Sequence, residues 1–395
     1  MGVVEEAMEA AERPRHEDSG GLAALMGSTQ GSVEVEGGGG IYSQGSIELP
    51  VEAYKQLRKL AGKWADIVDP VDLKLTRLKG AMTNNVYQCH WKRNDGNRDK
   101  KVLVRVYGEG SGLFFDRNDE VLTFERMSLK GQGPRLMGRF PNGRVEEFLR
   151  ARTLEQHDIR DPEISKKIAV KLRDFHSLDM PVKTGGRKAK IWERLREWLM
   201  KIQDHSDSSQ VSDGGLSKLD DEIIDPNYLE DEINYLQQRL DKRDTQIGFC
   251  HNDLQYGNIM LSEKDDSVTL IDYEYASYNP VAFDIANHFC EMTADYHSDE
   301  PHVLHPELFP RDEEQDRFLR AYLEASGDAV SQADVDKLRE EVKEFVLASH
   351  LHWVLWGLLS AKYQDVEFDF VGYSKQRLSL YKELKHQSES QTKQQ

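Results

Sequence analysis

The residues best suited to chemistry lie in one run, Phe249-Cys250-His251-Asn252-Asp253-Leu254-Gln255-Tyr256-Gly257-Asn258-Ile259-Met260-Leu261. Two apolar residues lead into a polar crossing and an apolar run leaves it, the pattern of a tight loop followed by a strand. Further on, the β-rich segment Val268-Thr269-Leu270-Ile271 delivers a second acid, Asp272. His-x-Asp-x-x-x-x-Asn, then a strand ending in Asp, is the constellation of kinase-type phosphoryl transfer. That chemistry needs a base or positioner for the attacking hydroxyl, oxygen ligands for Mg2+, and cations on the phosphates. Asp253 is the candidate base. Asn258 and Asp272 are the candidate metal ligands, because a hard cation wants oxygen donors and this pair leaves room for phosphate oxygens and water. Glu274, two residues along the strand expected there, would share the face of Asp272 and could help with a second ion. Alone, each of these would read as a turn residue or a strand-end solvator. In this order, between apolar strands, they favour the chemical reading.

Other elements must hold these groups in place. From Pro50 onward Ala53, Leu57, Leu60 and Ala61 recur at helical spacing, which predicts a helix capping the first domain. Leu73 to Leu78 reads as a strand, Lys79 to Asn85 as a turn and Val86 to Trp91 as the returning strand. The turn matches neither a Walker A loop nor the glycine-rich loop of protein kinases. Lys101 to Gly108 is a further strand, and its Arg105 stands where protein kinases keep a lysine; a guanidinium binds phosphate oxygens bidentately. A helix from about Asn118 carries Glu120, the candidate acid to pair with Arg105, although a solvated glutamate also suits a helix start. Phe140 to Arg144 is a turn and Val145 to Leu149 a short strand. Residues 151 to 202 have a helical pattern, 204 to 218 are a low-complexity loop, and a helix is expected from about Pro226 to Lys242. Asp284, Asn287 and Glu291 fall near one face of a helix, a spacing that suits a polar network bracing the loop, with Asp284 as its centre.

Composition narrows the class. With 395 residues, 52 basic and 70 acidic, the net charge is −18, which argues against nucleic acid or an anionic membrane as the main partner. Three scattered cysteines suggest a reducing compartment without a disulfide framework, and no Cys-x-x-Cys pair signals zinc. No apolar run approaches the ~20 residues that span a bilayer. The start lacks the basic region of a signal peptide and, with Glu at position 6, the myristoylation pattern, so the expectation is a cytoplasmic protein without a transmembrane anchor. Residues 1 to 48, rich in Gly, Glu and Ser, bury too little apolar surface to offset their ordering entropy and are expected to form a disordered arm.

His251 to Asn258, Ile271 to Tyr275, Tyr278-Asn279 and Phe283 to Glu291 closely resemble the choline/ethanolamine kinase family, from about Tyr54 to Tyr381 and in its plant-type choline kinase form. The resemblance implies an α+β, two-lobed protein-kinase-like fold: after the arm, a nucleotide-covering N-lobe over 49–147, a C-lobe over 148–386, a flexible tail over 387–395, and a site between the lobes. It implies a phosphate-covering loop of Gly80, Ala81, Met82, Thr83 and Asn84, and a hinge where backbone near Glu147 and Leu149 faces adenine. Arg105, Glu120, Gln255 and Asp272 join these as ATP-facing residues. Gln255 also matches the choline branch. Glu291 and Tyr296 stand where the family lines its choline pocket, beside Asp253. On a late helix from about Ala333 to Lys362, Trp353 and Trp356 are neighbours at three residues' spacing, and Tyr373 follows. A quaternary ammonium has no N–H to donate, so aromatic faces and nearby carboxylates must recognise it. An aromatic pair at this spacing is otherwise core. The implied reaction is ATP plus choline giving phosphocholine and ADP, the first step of the CDP-choline route to phosphatidylcholine, with Mg2+ as cofactor and a homodimer as a possible assembly. The alternatives are an ethanolamine kinase, an inactive kinase-shaped binding protein, which would be expected to lack the base or a metal ligand, and an aminoglycoside-type phosphotransferase, which leaves Trp353, Trp356 and Tyr373 unexplained.

Overall fold

A computed structural model describes residues 41–44, 47–64, 67, 73–78, 84–93, 96, 98–108, 111–181, 186–204, 225–364 and 366–392. Its contacts divide the chain into two units: one ends at Gly112 and resumes over Asp116–Thr153 and Gly257–Asp272, and the other holds the rest. The expected boundary after residue 147 therefore differs from the division by contacts, which also assigns the segment 257–272 to the first unit.

The first unit is built on a five-stranded antiparallel sheet in the order 74–78, 84–91, 100–107, 143–147, 136–140. The amphipathic helix α1 (Val51–Ala61) lays Ala53, Tyr54, Leu57, Leu60 and Ala61 against it. These side chains share a core with Leu75, Tyr87, Trp91, Val102, Val104 and Val145. Each large apolar side chain so buried stabilises the sheet by about 1.5–3 kcal/mol. Helix α2 (Arg117–Leu129) is capped by Asp116, whose carboxylate accepts the Asn118 N–H. A second, three-stranded sheet joins Ala151–Thr153, Ile259–Ser262 and Val268–Leu270.

Two expectations change here. The arm was expected to run to residue 48, yet Ile41–Gln44 and Ile47–Pro50 pair as an antiparallel hairpin; residues 1–40 lie outside the described residues. The helical reading of 151 to 202 also fails at its start, because Ala151–Thr153 is a strand. Helix begins only at Pro162, where proline suits the first turn and Asp161 accepts the N–H groups of Glu163 and Ile164.

The second unit is mainly helical: α3 (Pro162–His176), α4 (Ile191–Gln203), α5 (Pro226–Leu240), α6 (Val281–Glu291), α7 (Asp312–Glu324), α8 (Gln332–Tyr363) and α9 (Phe370–Thr392). One antiparallel ladder, Ile247–Cys250 with Ser277–Pro280, sits among them. Every residue of α6 is buried, the mark of a core helix, but this one carries Asp284, Asn287, His288 and Glu291 into the interior. Buried polar groups must find partners, so α6 is committed to a hydrogen-bond network. Long α8 packs against α6 and α9. At Gly357 a Cβ would collide with Ser374 Oγ, so glycine lets α9 come close enough to set Tyr373 beside Trp356.

Candidate active site

The loop bearing Asp253 leaves the strand Ile247–Cys250 and is held from α6. The Asp284 carboxylate accepts the backbone N–H groups of His251 and Asn252, each at 2.7 Å, and a hydrogen bond from His176 at 2.9 Å. Burial alone would raise this carboxyl, but the bonds and charge of His176 and His251 hold it below the ordinary Asp value. His176 is bonded in turn to the Tyr322 hydroxyl. Asp284 is thus the brace its helical spacing suggested. Cys250 lies close enough to His176 and Asp284 for the three to share an ion, but the Asp284 oxygens serve the loop and burial keeps the Cys250 thiol protonated.

Asn252 has φ +63°, a left-handed conformation that few non-glycine residues adopt. Its side chain donates to the Tyr275 carbonyl at 2.8 Å and accepts from Asn279 at 2.9 Å, while its own carbonyl accepts from Asn287 at 3.0 Å. The next residue, Asp253, is 2% exposed. The Leu254 carbonyl is bonded by His288 Nδ1, whose imidazole burial pushes down to about 4, so it stays neutral.

The structure gathers the expected acceptor residues on this same unit. Trp353 and Trp356 meet edge to face at 5.3 Å, and Tyr373 lies 6.0 Å from Trp356. Both tryptophans and Tyr373 are buried. Glu291 accepts from the Tyr296 hydroxyl at 2.6 Å and from Arg377 at 2.7 Å. Burial raises the Glu291 carboxyl despite Arg377, and the charge of Asp253 pushes the same way, which places the two carboxylates within electrostatic reach. Gln255 is buried in the loop.

Sequence reasoning assigned neither Arg377 nor the partners of the two indole N–H groups. Arg377 is fully buried, donates to the Tyr373 hydroxyl at 3.0 Å and clamps Glu291. Its position four residues after Tyr373 on α9 was the available signal. Tyr275 accepts the Trp356 indole N–H at 2.9 Å. Asn287 accepts that of Trp353 at 2.6 Å. Both sit inside the motifs that carried the resemblance, but nothing in residue type alone says which indole they meet.

The first unit holds the phosphate-side candidates. Arg105 is nearly buried and does not pair with Glu120 as expected. Its Nε donates to Glu146 at 2.9 Å, and Glu120 is met by Arg144 at 2.7 Å and Arg117 at 3.3 Å. Arg144 also bonds Glu146 at 2.7 Å, so the charges alternate in a row from Arg105 to Arg117. The reason is register: Arg105 pairs across the sheet with Arg144, and Glu146, two residues on, returns to the same face. Burial disfavours the Arg105 cation, but Glu146 and Asp272 together hold it charged.

Asn258 and Asp272 come together through the second sheet: Ile259 pairs with Leu270, and the Ile271 N–H donates to the Asn258 carbonyl at 3.0 Å. Asp272 has φ +64°, so the strand stops before it and the expected alternation that put Glu274 on its face does not hold. The Glu147 carboxylate is tied to Arg135 at 2.9 and 3.0 Å, and its N–H is spent on the Arg135 carbonyl at 2.9 Å. Leu149 is half-buried, and Asn84 opens the strand 84–91. Gly80, Ala81, Met82 and Thr83 lie outside the described residues.

Comparison with known proteins assigns the class. One unit built on a five-stranded antiparallel sheet and another that is mainly helical match the protein-kinase-like fold of choline and ethanolamine kinases. Among solved structures, the choline kinase from Cryptosporidium parvum superposes with a TM-score of 0.71 at 24% identity, covering 86% of this chain and 96% of that one. The family model for choline/ethanolamine kinase matches residues 75–382, and the chain belongs to that family. It is 46% identical over 356 residues to the probable choline kinase 2 of Arabidopsis thaliana, covering 90% of this chain and 95% of the relative. To the probable choline kinase 3 of the same plant it is 48% identical over 344 residues, covering 87% and 95%. Among the described residues, no helix is long and apolar enough to cross a membrane.

Proposed function

We propose that the chain phosphorylates choline with ATP, and the observation that carries this reading is the grouping around Asp253. A buried carboxylate in loop position for a base shares one unit with a second carboxylate, Glu291, and with the rings of Trp353, Trp356 and Tyr373. Choline brings a hydroxyl for the first and a hydrated-poor cation for the rest. Its three methyl groups gain about 0.5–2 kcal/mol from each ring face, with the larger values in a desolvated setting such as this. Asp253 accepts the hydroxyl proton as the oxygen attacks in line, and the bonds from the His251 and Asn252 N–H groups to Asp284 hold the loop that carries it. Arg105, kept charged by Glu146 and Asp272, is a fixed cation for phosphate oxygens.

The donor set of Asn258 and Asp272, oxygen only and joined by the Ile271–Asn258 bond, fits a hard divalent ion, and we assign Mg2+ to it. Such an ion, when bound, neutralises charge on the transferring phosphoryl group. We place the reaction in the cytoplasm. Ethanolamine is the less favoured acceptor, since a strongly hydrated primary ammonium needs hydrogen-bond acceptors that indole rings lack. A coupled ADP-release assay across choline, ethanolamine and sugar acceptors tests the reading. Choline should give the highest kcat/KM, and a preference for ethanolamine or a sugar would overturn it.

A further inference from the structure

We propose that Asn287 is a positioning residue that couples the acceptor rings to the loop carrying Asp253. Its fully buried amide faces two ways. Oδ1 accepts the Trp353 indole N–H at 2.6 Å and the Ser349 hydroxyl at 2.8 Å, while Nδ2 donates to the Asn252 carbonyl at 3.0 Å. A second strut runs in parallel: the Trp356 indole N–H reaches the Tyr275 hydroxyl at 2.9 Å, and the Tyr275 carbonyl accepts Asn252 Nδ2 at 2.8 Å. Both indoles of the aromatic pair therefore end on the same residue. That residue, Asn252, is held left-handed at φ +63° and precedes the base directly.

The chemistry explains why an amide stands at 287. An indole N–H only donates and a backbone carbonyl only accepts, so a group joining them must accept on one side and donate on the other. A carboxylate lacks the donor, and an aliphatic side chain lacks both. In a dry interior such a chain holds its geometry firmly, because an unmade bond there is costly. When the acceptor seats against Trp353, the ring position is passed through Asn287 to the Asn252 carbonyl, and the carboxylate of Asp253 is aimed by the same event. A misaimed base loses turnover rather than affinity. This inference rests on Trp353 being an acceptor face, as proposed above.

Trp353→Phe keeps a smaller ring face and removes the N–H together with the five-membered ring; Asn287→Ala removes the link itself. Measured with choline, Trp353→Phe should lower kcat about ten-fold and leave the choline KM within about two-fold. The Trp353→Phe/Asn287→Ala double variant should lose no more kcat than Asn287→Ala alone, since both break one chain. Unchanged kcat in Trp353→Phe, or losses that multiply in the double variant, would overturn the coupling. Should Asn287→Ala melt too early to assay, Trp353→Phe decides by itself. Trp353→Ala separates the two readings: if it leaves choline and ethanolamine KM values equally affected, the acceptor face is wrong, whereas an intact face with an unaltered Trp353→Phe kcat removes the coupling only.

Discussion

The proposed phosphate side and the proposed acceptor side solve the burial of polar groups in opposite ways. In the first unit, Arg105, Glu146, Arg144 and Glu120 form a row of alternating full charges, all nearly buried. In the second, the partners of the Trp353 and Trp356 indoles are neutral, the Asn287 amide and the Tyr275 hydroxyl, while the charges that reach Tyr275 and Tyr373 come from Asp253, Glu274, Arg194, Glu291 and Arg377. The ligands proposed for the two sides account for the difference. Phosphates carry localised charge and want a fixed guanidinium, which a buried setting tolerates only with carboxylates around it. A quaternary ammonium spreads its charge over methyl groups and wants ring faces, so full charges there would mostly add desolvation cost.

The largest way to break this division is at the proposed base. Asp253→Asn keeps the shape of the side chain but cannot take the proton, so kcat should fall by about 10²–10⁴ while ATP binding survives. Isothermal titration with ATP alongside turnover checks both halves. Near-normal turnover would remove Asp253 as the base.

Next comes the charge row. Glu146→Gln strips Arg105 and Arg144 of their shared carboxylate and leaves buried cations undercompensated, a change that typically costs about 3–5 kcal/mol. Denaturant unfolding should show that loss, together with a raised KM for ATP. Glu120→Gln should leave the Arg105–Glu146 bond in place and affect the ATP KM less. Equal effects on ATP KM would restore Glu120 as the partner of Arg105.

The acceptor unit should be sharpened by acid. Burial holds His288 at about 4 and His350 and His352 well below the ordinary histidine value. A histidine lowered in the folded state contributes stability above its unfolded pKa, near 6.5, and that stability is lost as pH falls from there toward the folded value. Unfolding midpoints should therefore drop between pH 6.5 and 4. His288→Asn can keep a donor for the Leu254 carbonyl without the titrating ring. It should flatten the slope by about 1.4 kcal/mol per pH unit, one proton's worth. An unchanged slope would mean that His288 is not held neutral.

How far the sequence reaches is clearest at particular residues. The loop, the late helix carrying Trp353 and Trp356, and the bracing role of Asp284 could be read because each rests on local spacing: His251 to Asn258, and helical steps along α6 and α8. The Arg105 partner could not be, because Glu146 lies 41 residues away and only the sheet register brings it back. The left-handed turns at Asn252 and Asp272 were equally hidden, since Asn and Asp tolerate that conformation without demanding it. That is why the strand alternation used for Glu274 does not apply. The Ile41–Pro50 hairpin failed for a related reason: its strands are four residues each, too short for the apolar positions Ile41, Tyr42, Ile47 and Leu49 to stand out after the glycine run at 37–40.

The division itself is tested most directly by measuring both Michaelis constants in Asp272→Ala and Trp356→Ala side by side. Asp272→Ala should raise the KM for ATP and leave that for choline nearly unchanged. Trp356→Ala should do the reverse, raising the choline KM by about five- to thirty-fold, the effect of one lost ring face worth about 1–2 kcal/mol, and raising the ethanolamine KM less. If Trp356→Ala instead melts early and raises every KM alike, the ring pair is core packing and the acceptor account is contradicted.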